Sequence, residues 1–387
     1  MIDIQRITAH CANALTLAVV ALGVAACATT PYSPPAAETR SDLLAAHLAV
    51  GDGAQVIAES RRAIEDRILE LDPDRISDED VRHTLAAGPT PRIMLVHGGV
   101  VGVYLVMESF GKFLVGMGYP ESRIRDPRSG EWSQNPYGSS ERLAGELAWY
   151  YEHDGVQPML IGHSQGGMQT VKVLHELAGD FSDSVRVWNP VTDRAEDRRT
   201  IADPVTHVQR PVVGVRLSYA SVVGAGGLEF WAPSGWSLAG RLRAIPDSVE
   251  EFTGYSIAGD PIALTPPSGA SPYDLYRQTG NAQVHNVNLP VGYNHVFVPN
   301  TDYLVEEPRK RDWINAYQGA KSGHAAAIPG GDDFHVLWAA DVWHSIKKHW
   351  CLEAQRLIRA QRSTVDTRGN QSAQASGPQS PSSERSD

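Results

Sequence analysis

The stretch that decides the fold is residues 159–167, MLIGHSQGG, followed by MQTVKVLHELAG over 168–179. The apolar run 159–161 predicts a short strand buried on both faces, and the segment after it predicts a helix. The pattern Gly-x-Ser-x-Gly between them predicts a sharp turn that exposes the hydroxyl of Ser164 at the carboxyl edge of the sheet. We therefore predict that Ser164 is a nucleophile, and that the Gln165 backbone N–H at the helix start stabilises an oxyanion.

Strand and helix patterns alternate on both sides of this turn. Residues 92–96 (RIMLV) predict a buried strand, and residues 139–151 predict an amphipathic helix before the strand at 159–161. Further strands are predicted at 185–188 and at 212–217. Repetition of this kind predicts an α/β fold with a mainly parallel sheet and right-handed crossovers.

The strand at 92–96 runs into His97-Gly98-Gly99. Together with the GHSQGG turn and the strands that follow, this pattern resembles the α/β-hydrolase family on its lipase and esterase side, over about residues 90–350. The resemblance implies the α/β-hydrolase fold, a second oxyanion donor in the N–H of Gly99, and a catalytic acid and histidine that follow Ser164 in that order. It also implies hydrolysis of acyl esters through an acyl-enzyme. The lack of a Gly-rich phosphate or dinucleotide motif separately predicts that no cofactor is used.

Two placements of the acid and the histidine compete. In the first, Asp260 ends a strand that starts at Gly254, and His295 follows a last strand over 284–291. In the second, Asp302 is the acid and His335 is the base after a strand at 325–329. We favour Asp260 and His295, because VHNVNLPV has the alternation of a strand whereas AAAIP is poor in the large side chains of a central strand.

A long connection suggests how substrate is covered. About 65 residues separate the strands near 188 and 255, more than one crossover needs. Residues 190–253 are therefore predicted to form a cap-like insertion over an apolar acyl pocket, with the aromatic side chains Phe230, Trp231, Trp236 and Phe252. Packing of these aromatic residues onto the body of the protein explains the pattern equally well.

The N-terminus has the features of an export signal. Residues 14–26 form an apolar run that is too short to span a membrane and ends in Val24-Ala25-Ala26-Cys27. This ending resembles the lipobox of bacterial lipoproteins, in which the cysteine becomes the lipidated first residue. The prediction is a lipoprotein signal peptide at 1–26, lipidation of Cys27 and a tether at 27–41. Because residue 28 is Ala, the resemblance implies the periplasmic face of the outer membrane.

The rest of the chain is predicted to consist of the hydrolase domain at 42–362 and a disordered tail at 363–387, which is rich in Ser, Gln and Pro. The charge balance of 34 basic and 45 acidic residues, −11 in total, argues against nucleic acid as a partner. No metal-binding or dinucleotide motif is present, since GAGG at 224–227 lacks the GxGxxG spacing.

The predicted function is that of a lipid-anchored serine ester hydrolase whose partners are an acyl-ester small molecule or lipid and the membrane. Two other interpretations stay open. One is a depolymerase or amidase that uses the same triad. The other is a catalytically silent envelope lipoprotein that binds a partner.

Lipidation gives the first testable expectation. Cys27→Ser removes the thiol that would be acylated, so palmitate incorporation in a bacterial host should be abolished and the chain should remain as precursor or in soluble form. Cys351→Ser is the matched control and should be labelled like the wild type. Unchanged labelling of the Cys27 variant would show that the lipobox interpretation is wrong.

Overall fold

The computed structural model describes residues 56–375, except for 101, 227–236, 239, 261, 264–273, 291 and 320–334, and the side chains through 364. Contacts divide the chain into units 1–56 and 57–387, and the described elements belong to the second unit, apart from residue 56 at the start of the first helix. The predicted signal peptide, the tether and the lipidation site at Cys27 lie outside the described residues.

Five parallel strands form the central sheet in the described part of the chain. They are β1 Ile93–Val96, β2 Met159–His163, β3 Leu217–Val223, β4 Val249–Ile257 and β5 Gln283–Leu289. Their order in the sheet is the order along the chain, and every neighbouring pair is parallel. All five carboxyl ends therefore meet at one edge, which is where ligands bind in open parallel sheets. The predicted α/β class with a mainly parallel sheet is confirmed.

Helices cover both faces of this sheet. Their bounds are α1 over 56–70, α2 Asp78–His83, α3 Val103–Gly116, α4 Ser140–Asp154, α5 Gln165–Ala178, α6 Pro308–Ala316 and α7 His335–Ala375. Alternate residues of β1 enter different layers. Ile93 and Leu95 lie in the core that contains residues of α3 and α7, whereas Met94 and Val96 lie in the core with α4 and α5. Burial on both faces explains why the strand is continuously apolar.

Helices α4 and α5 hold the second layer in place. The Oγ of Ser139 accepts a hydrogen bond from the N–H of Arg142 and so caps the start of α4, and Gly155 ends it with a positive φ of 75°. Helix α5 is buried from Gln165 through Leu177. A helix enclosed to this degree cannot shift without disturbing the core, so the turn that precedes it is held rigidly.

The predicted cap at 190–253 is wrong as a single insertion. Strand β3 lies in the middle of the sheet, and β4 begins at Val249. Outside the sheet, the predicted strand near 188 is half of a small antiparallel ribbon, Trp188–Asn189 with Arg194–Ala195, and Thr200–Ala202 pairs with Gln209–Pro211. Phe252 is buried in β4 rather than exposed, while Phe230, Trp231 and Trp236 lie outside the described residues.

The C-terminal boundary also differs from the prediction. Helix α7 continues to Ala375, so the disorder predicted from 363 does not begin there, and residues 376–387 lie outside the described chain. The polar composition that suggested disorder is compatible with a helix that extends a strongly apolar segment, because Trp338, Trp343 and Trp350 anchor the first half of α7 in the core. None of the described helices is both long enough and apolar enough to cross a membrane.

A buried carboxyl group on α4 should make the stability of the fold depend on pH. Burial raises the pKa of Glu146 to about 7 from 4.5, although the Arg142 guanidinium lies 2.9 Å from the carboxylate. Because the folded pKa is the higher one, this contribution to stability is full below about pH 4.5 and is lost as the pH rises through 7. The amide of Glu146→Gln does not titrate. The free energy of unfolding of this variant, relative to wild type, should therefore increase by roughly 2–4 kcal/mol when the pH is raised from 5 to 8.

The measurement is urea unfolding at both pH values. Glu79→Gln removes an exposed carboxylate from α2 and should follow the wild-type profile. If the difference between Glu146→Gln and wild type were the same at pH 5 and pH 8, the carboxyl group would not be titrating with a raised pKa.

Candidate active site

Ser164 lies between the last residue of β2 and the first residue of α5. Its backbone has φ 55° and ψ −119°, in the region of positive φ that a residue with a side chain rarely adopts. Strain of this kind persists only where the surroundings enforce it, and it is concentrated at functional sites. The serine side chain is turned toward the carboxyl edge of the sheet, and the residue is 9% exposed.

The turn is enforced by close contacts between backbones. A Cβ atom on Gly166 would collide with the carbonyl groups of Val96 and His97 at the end of β1. A Cβ atom on Gly162 would collide with the carbonyl of Gly166 and with Thr170. The two glycines of the Gly-x-Ser-x-Gly pattern are therefore required, because Gly166 lets the turn pack against β1 and Gly162 lets the strand pack against the start of α5.

The structure brings Ser164, His295 and Asp260 together. Nε2 of His295 lies 2.7 Å from the Oγ of Ser164, and Nδ1 of His295 lies 2.5 Å from Oδ2 of Asp260. The carboxylate can only accept, so Nδ1 carries a proton and Nε2 is free to accept the proton of the serine hydroxyl. The side chains of His295 and Asp260 are only 4% and 1% exposed, which excludes water from these hydrogen bonds.

Asp260 stays ionised despite its burial. Burial raises the pKa of its carboxyl, but the hydrogen bond and charge of His295 and the backbone N–H groups of Ile262 and Ala263 outweigh that effect, so the pKa is lowered. The N–H groups lie 2.9 Å and 3.4 Å from Oδ1, on the oxygen that His295 leaves free. An ionised, fixed carboxylate holds the imidazole in one tautomer and stabilises an imidazolium.

The two predicted oxyanion residues lie beside the serine. Gln165 is the first residue of α5, so its N–H has no carbonyl partner within the helix and lies at the positive end of the helix dipole. A Cβ atom on Gly99 would be 3.1 Å from the Cβ of Gln165. The hydroxyl of Tyr137 donates to the Gly99 carbonyl at 2.9 Å and fixes this turn. Oxyanion binding by the two N–H groups stays a prediction.

The competing pair is not at the serine. Asp302 begins the 3-10 helix Asp302–Val305, and its N–H donates to the Oγ of Ser109. His335 is the first residue of α7, and its Nδ1 lies 3.3 Å from the carbonyl of Val298. The strand proposed for this alternative, 325–329, lies outside the described residues. Of the two placements, the described geometry joins the first to Ser164.

Sequence reasoning missed two residues that contact the triad. Gly224, directly after β3, has φ 59°, and a Cβ atom there would be 2.9 Å from Cε1 and 3.0 Å from Nδ1 of His295. His163 is fully buried, and its Nε2 lies 2.6 Å from the carbonyl oxygen of His295. The only sequence signals were a glycine-rich segment and a histidine within the GHSQGG pattern.

No group of three or more His, Cys, Asp or Glu residues is placed to hold a metal ion within the described residues. No protein-family model matches the chain, and no curated protein matches it. Among solved structures, "RedJ with PEG molecule bound in the active site" is 16% identical, covering 58% of this chain and 90% of that chain with a TM-score of 0.29. Similarity of this degree carries no argument about function.

Chemically, the arrangement places a serine hydroxyl, an imidazole that can accept its proton and a carboxylate that orients the imidazole within hydrogen-bond distance of one another. Gly224→Ala should disrupt it, because the new methyl group would displace the His295 ring. The rate of reaction of Ser164 with a fluorophosphonate should fall by roughly 10²-fold, the cost of moving a catalytic group by about 1 Å.

Gly259→Ala provides the matched control. Gly259 also has a positive φ, 76°, but a Cβ atom there would meet no atom within 4 Å. This variant should carry the same backbone strain and react at a rate close to that of wild type. Equal slowing in both variants would mean that backbone strain, and not contact with His295, is responsible.

Proposed function

We propose that this protein is a serine hydrolase of the α/β-hydrolase fold that cleaves acyl esters through a covalent acyl-Ser164 intermediate. The observation that carries the proposal is the set of two short hydrogen bonds that join Asp260, His295 and Ser164 at a strained turn. Nucleophile, base and orienting acid are within hydrogen-bond distance of one another without any rearrangement.

Acylation begins when Nε2 of His295 takes the proton of the Ser164 hydroxyl as Oγ attacks the ester carbonyl carbon. The carbonyl oxygen becomes an oxyanion that accepts hydrogen bonds from the N–H groups of Gln165 and Gly99. One such donor is worth roughly 2.7–4 kcal/mol of barrier lowering. The bond to the leaving oxygen then breaks, and His295 gives its proton to the alcohol.

Deacylation repeats these steps with water. His295, again neutral, takes a proton from a water molecule that attacks the acyl carbon. The tetrahedral intermediate collapses, the bond between the acyl carbon and Oγ breaks, and His295 returns its proton to Ser164. The carboxylic acid leaves, and the enzyme is restored with no external reactant other than water.

The surroundings of the site favour an uncharged, apolar substrate. Val100 follows Gly99 directly, Ile262 lies two residues after Asp260, and Phe297 lies two residues after His295. All three side chains are large, apolar and about half exposed or more. Because these side chains lie on the same segments as Gly99, Asp260 and His295, and ligand pockets are lined mainly by apolar residues, we propose esters with a hydrocarbon acyl chain as the substrate class.

The same proposal includes location. The lipobox-like sequence ending at Cys27 supports lipid anchoring to the cell envelope, with the outer membrane as the proposed address. Anchoring would place the enzyme at a surface rich in acyl esters. This part rests on sequence alone and is tested by the lipidation experiment above.

Hydrolysis of p-nitrophenyl esters tests the function. Ser164→Ala and His295→Ala should each lose turnover by about 10⁴-fold or more, and Asp260→Asn should also be severely impaired because the imidazole loses its orienting partner. A fluorophosphonate should label wild type and not Ser164→Ala. Circular dichroism checks that each variant is folded.

Asp302→Asn and His335→Ala are the matched controls, because they remove the same residue types at a site that does not contact Ser164. Both should keep most of the wild-type turnover. Absence of both labelling and turnover in wild type would favour the silent binding module, and cleavage of anilides in preference to esters would favour the amidase alternative. Dead, folded variants at 302 and 335 with an active His295→Ala would overturn the assignment.

A further inference from the structure

The base lies on a segment without regular secondary structure. Strand β5 ends at Leu289, and His295 begins a stretch of turns over residues 295–299. Within this segment the N–H groups of Phe297 and Val298 donate to the carbonyl of Asn294. These bonds shape the turn locally but do not attach it to the sheet. The segment is also anchored beyond the base, where Val298 is buried and its carbonyl bonds to His335, but accurate proton transfer needs an attachment at His295 itself.

That attachment comes from the residue next to the nucleophile. Nε2 of His163 lies 2.6 Å from the carbonyl oxygen of His295, across 132 positions of sequence. A carbonyl oxygen only accepts, so Nε2 of His163 is the protonated nitrogen and donates. Ser164 and His163, two consecutive residues, thus bond the ring and the backbone of His295 respectively.

His163 is suited to act as a neutral donor. Its side chain is fully buried, and its Nδ1 has no hydrogen-bond partner within the described residues. Burial, and then the neighbouring charge of His295, lower the pKa of His163 to about 3, so the ring is uncharged at neutral pH. An uncharged ring does not oppose the imidazolium that forms on His295, whose ring centroid is 5.3 Å away.

We propose that His163 is a positioning residue whose hydrogen bond to the His295 carbonyl keeps the base in place, above all during deacylation. The inference rests on the proposed function. In the free enzyme the Ser164 hydroxyl also bonds to the ring of His295. In the acyl-enzyme, Oγ bears the acyl group in place of its proton and can no longer donate to Nε2. The bond from His163 and the bond to Asp260 then hold the base.

The test compares two substitutions at position 163. His163→Leu keeps a similar volume and removes the donor, whereas His163→Gln has an amide nitrogen the same number of bonds from Cα as Nε2. In His163→Leu, deacylation should slow by roughly 10- to 100-fold, since a 1 Å misplacement can cost about 10²-fold, and acylation should slow by less. His163→Gln should recover most of the rate.

Acylation is measured as p-nitrophenol release with enzyme in excess. Deacylation is measured as the decay of the acyl-Ser164 mass by mass spectrometry. A third readout does not depend on activity, namely the low-field NMR resonance of the His295 Nδ1 proton in its 2.5 Å bond to Asp260. This resonance should move or broaden in His163→Leu and return in His163→Gln.

His175→Leu is the control for loss of a buried histidine. His175 is also buried, and it bonds to Asp180 and Arg241 rather than to the triad. This variant should lose thermal stability without a change in the His295 resonance or in the deacylation rate. If His163→Leu does not fold, His163→Asn, whose amide is one bond shorter than that of glutamine, serves for the same comparison with His163→Gln.

A folded His163→Leu with the wild-type resonance and deacylation rate would overturn the inference and leave His163 a structural residue. Failure of the proposed function would look different, because wild type itself would form no acyl-enzyme. In that case the resonance alone still decides whether His163 positions His295.

Discussion

The positive φ of Ser164 is the constraint on which the rest of the site depends. A residue with a side chain keeps this conformation only where its surroundings enforce it, and here Gly166 lets the turn touch the end of β1 while Gly162 lets it close against the start of α5. The same turn sets the start of α5, so the direction of the helix and the position of Gln165 follow from it. Enclosure of α5 in the core prevents the strain from relaxing.

The parallel sheet supplies the other parts of the site. Because β1 to β5 all end at one edge, the segments after β1, β4 and β5 deliver Gly99, Asp260 and His295 to the end of β2. The segment after β3 contributes the space that Gly224 leaves for the imidazole. Residues far apart in sequence thus meet because each lies a few residues past the end of its strand.

The strand–turn–helix at Ser164 was predictable because its signal is local: a buried strand, two glycines and a helix lie within a short segment. The preference for Asp260 and His295 came from the strength of the last strand. Strand β3 was misplaced as 212–217 and the region around it assigned to a cap, because Ser218 and Ser221 interrupt its apolar character. Ser218 is buried, and its hydroxyl donates a hydrogen bond to the carbonyl of Gln157. This partner, which makes burial of the hydroxyl possible, cannot be read from the sequence.

The contacts of His163 and Gly224 with His295 could not be predicted for a different reason. Both join positions far apart along the chain, and neither uses a residue type that marks its partner. Every residue has a backbone carbonyl, so a hydrogen bond to the carbonyl of residue 295 leaves no mark in the sequence at that position. Only the three-dimensional arrangement shows that the residue next to Ser164 also bonds to the backbone of His295.

The most direct measurement is a crystal structure of the protein after reaction with an alkyl phosphonate. We expect a covalent bond from phosphorus to the Oγ of Ser164, with the phosphonyl oxygen about 2.7–3.1 Å from the N–H groups of Gln165 and Gly99. His295 should remain bonded to Asp260 and to His163. Attachment to another residue would contradict the role of Ser164 as nucleophile, and a phosphonyl oxygen turned away from these N–H groups would contradict their role as oxyanion donors.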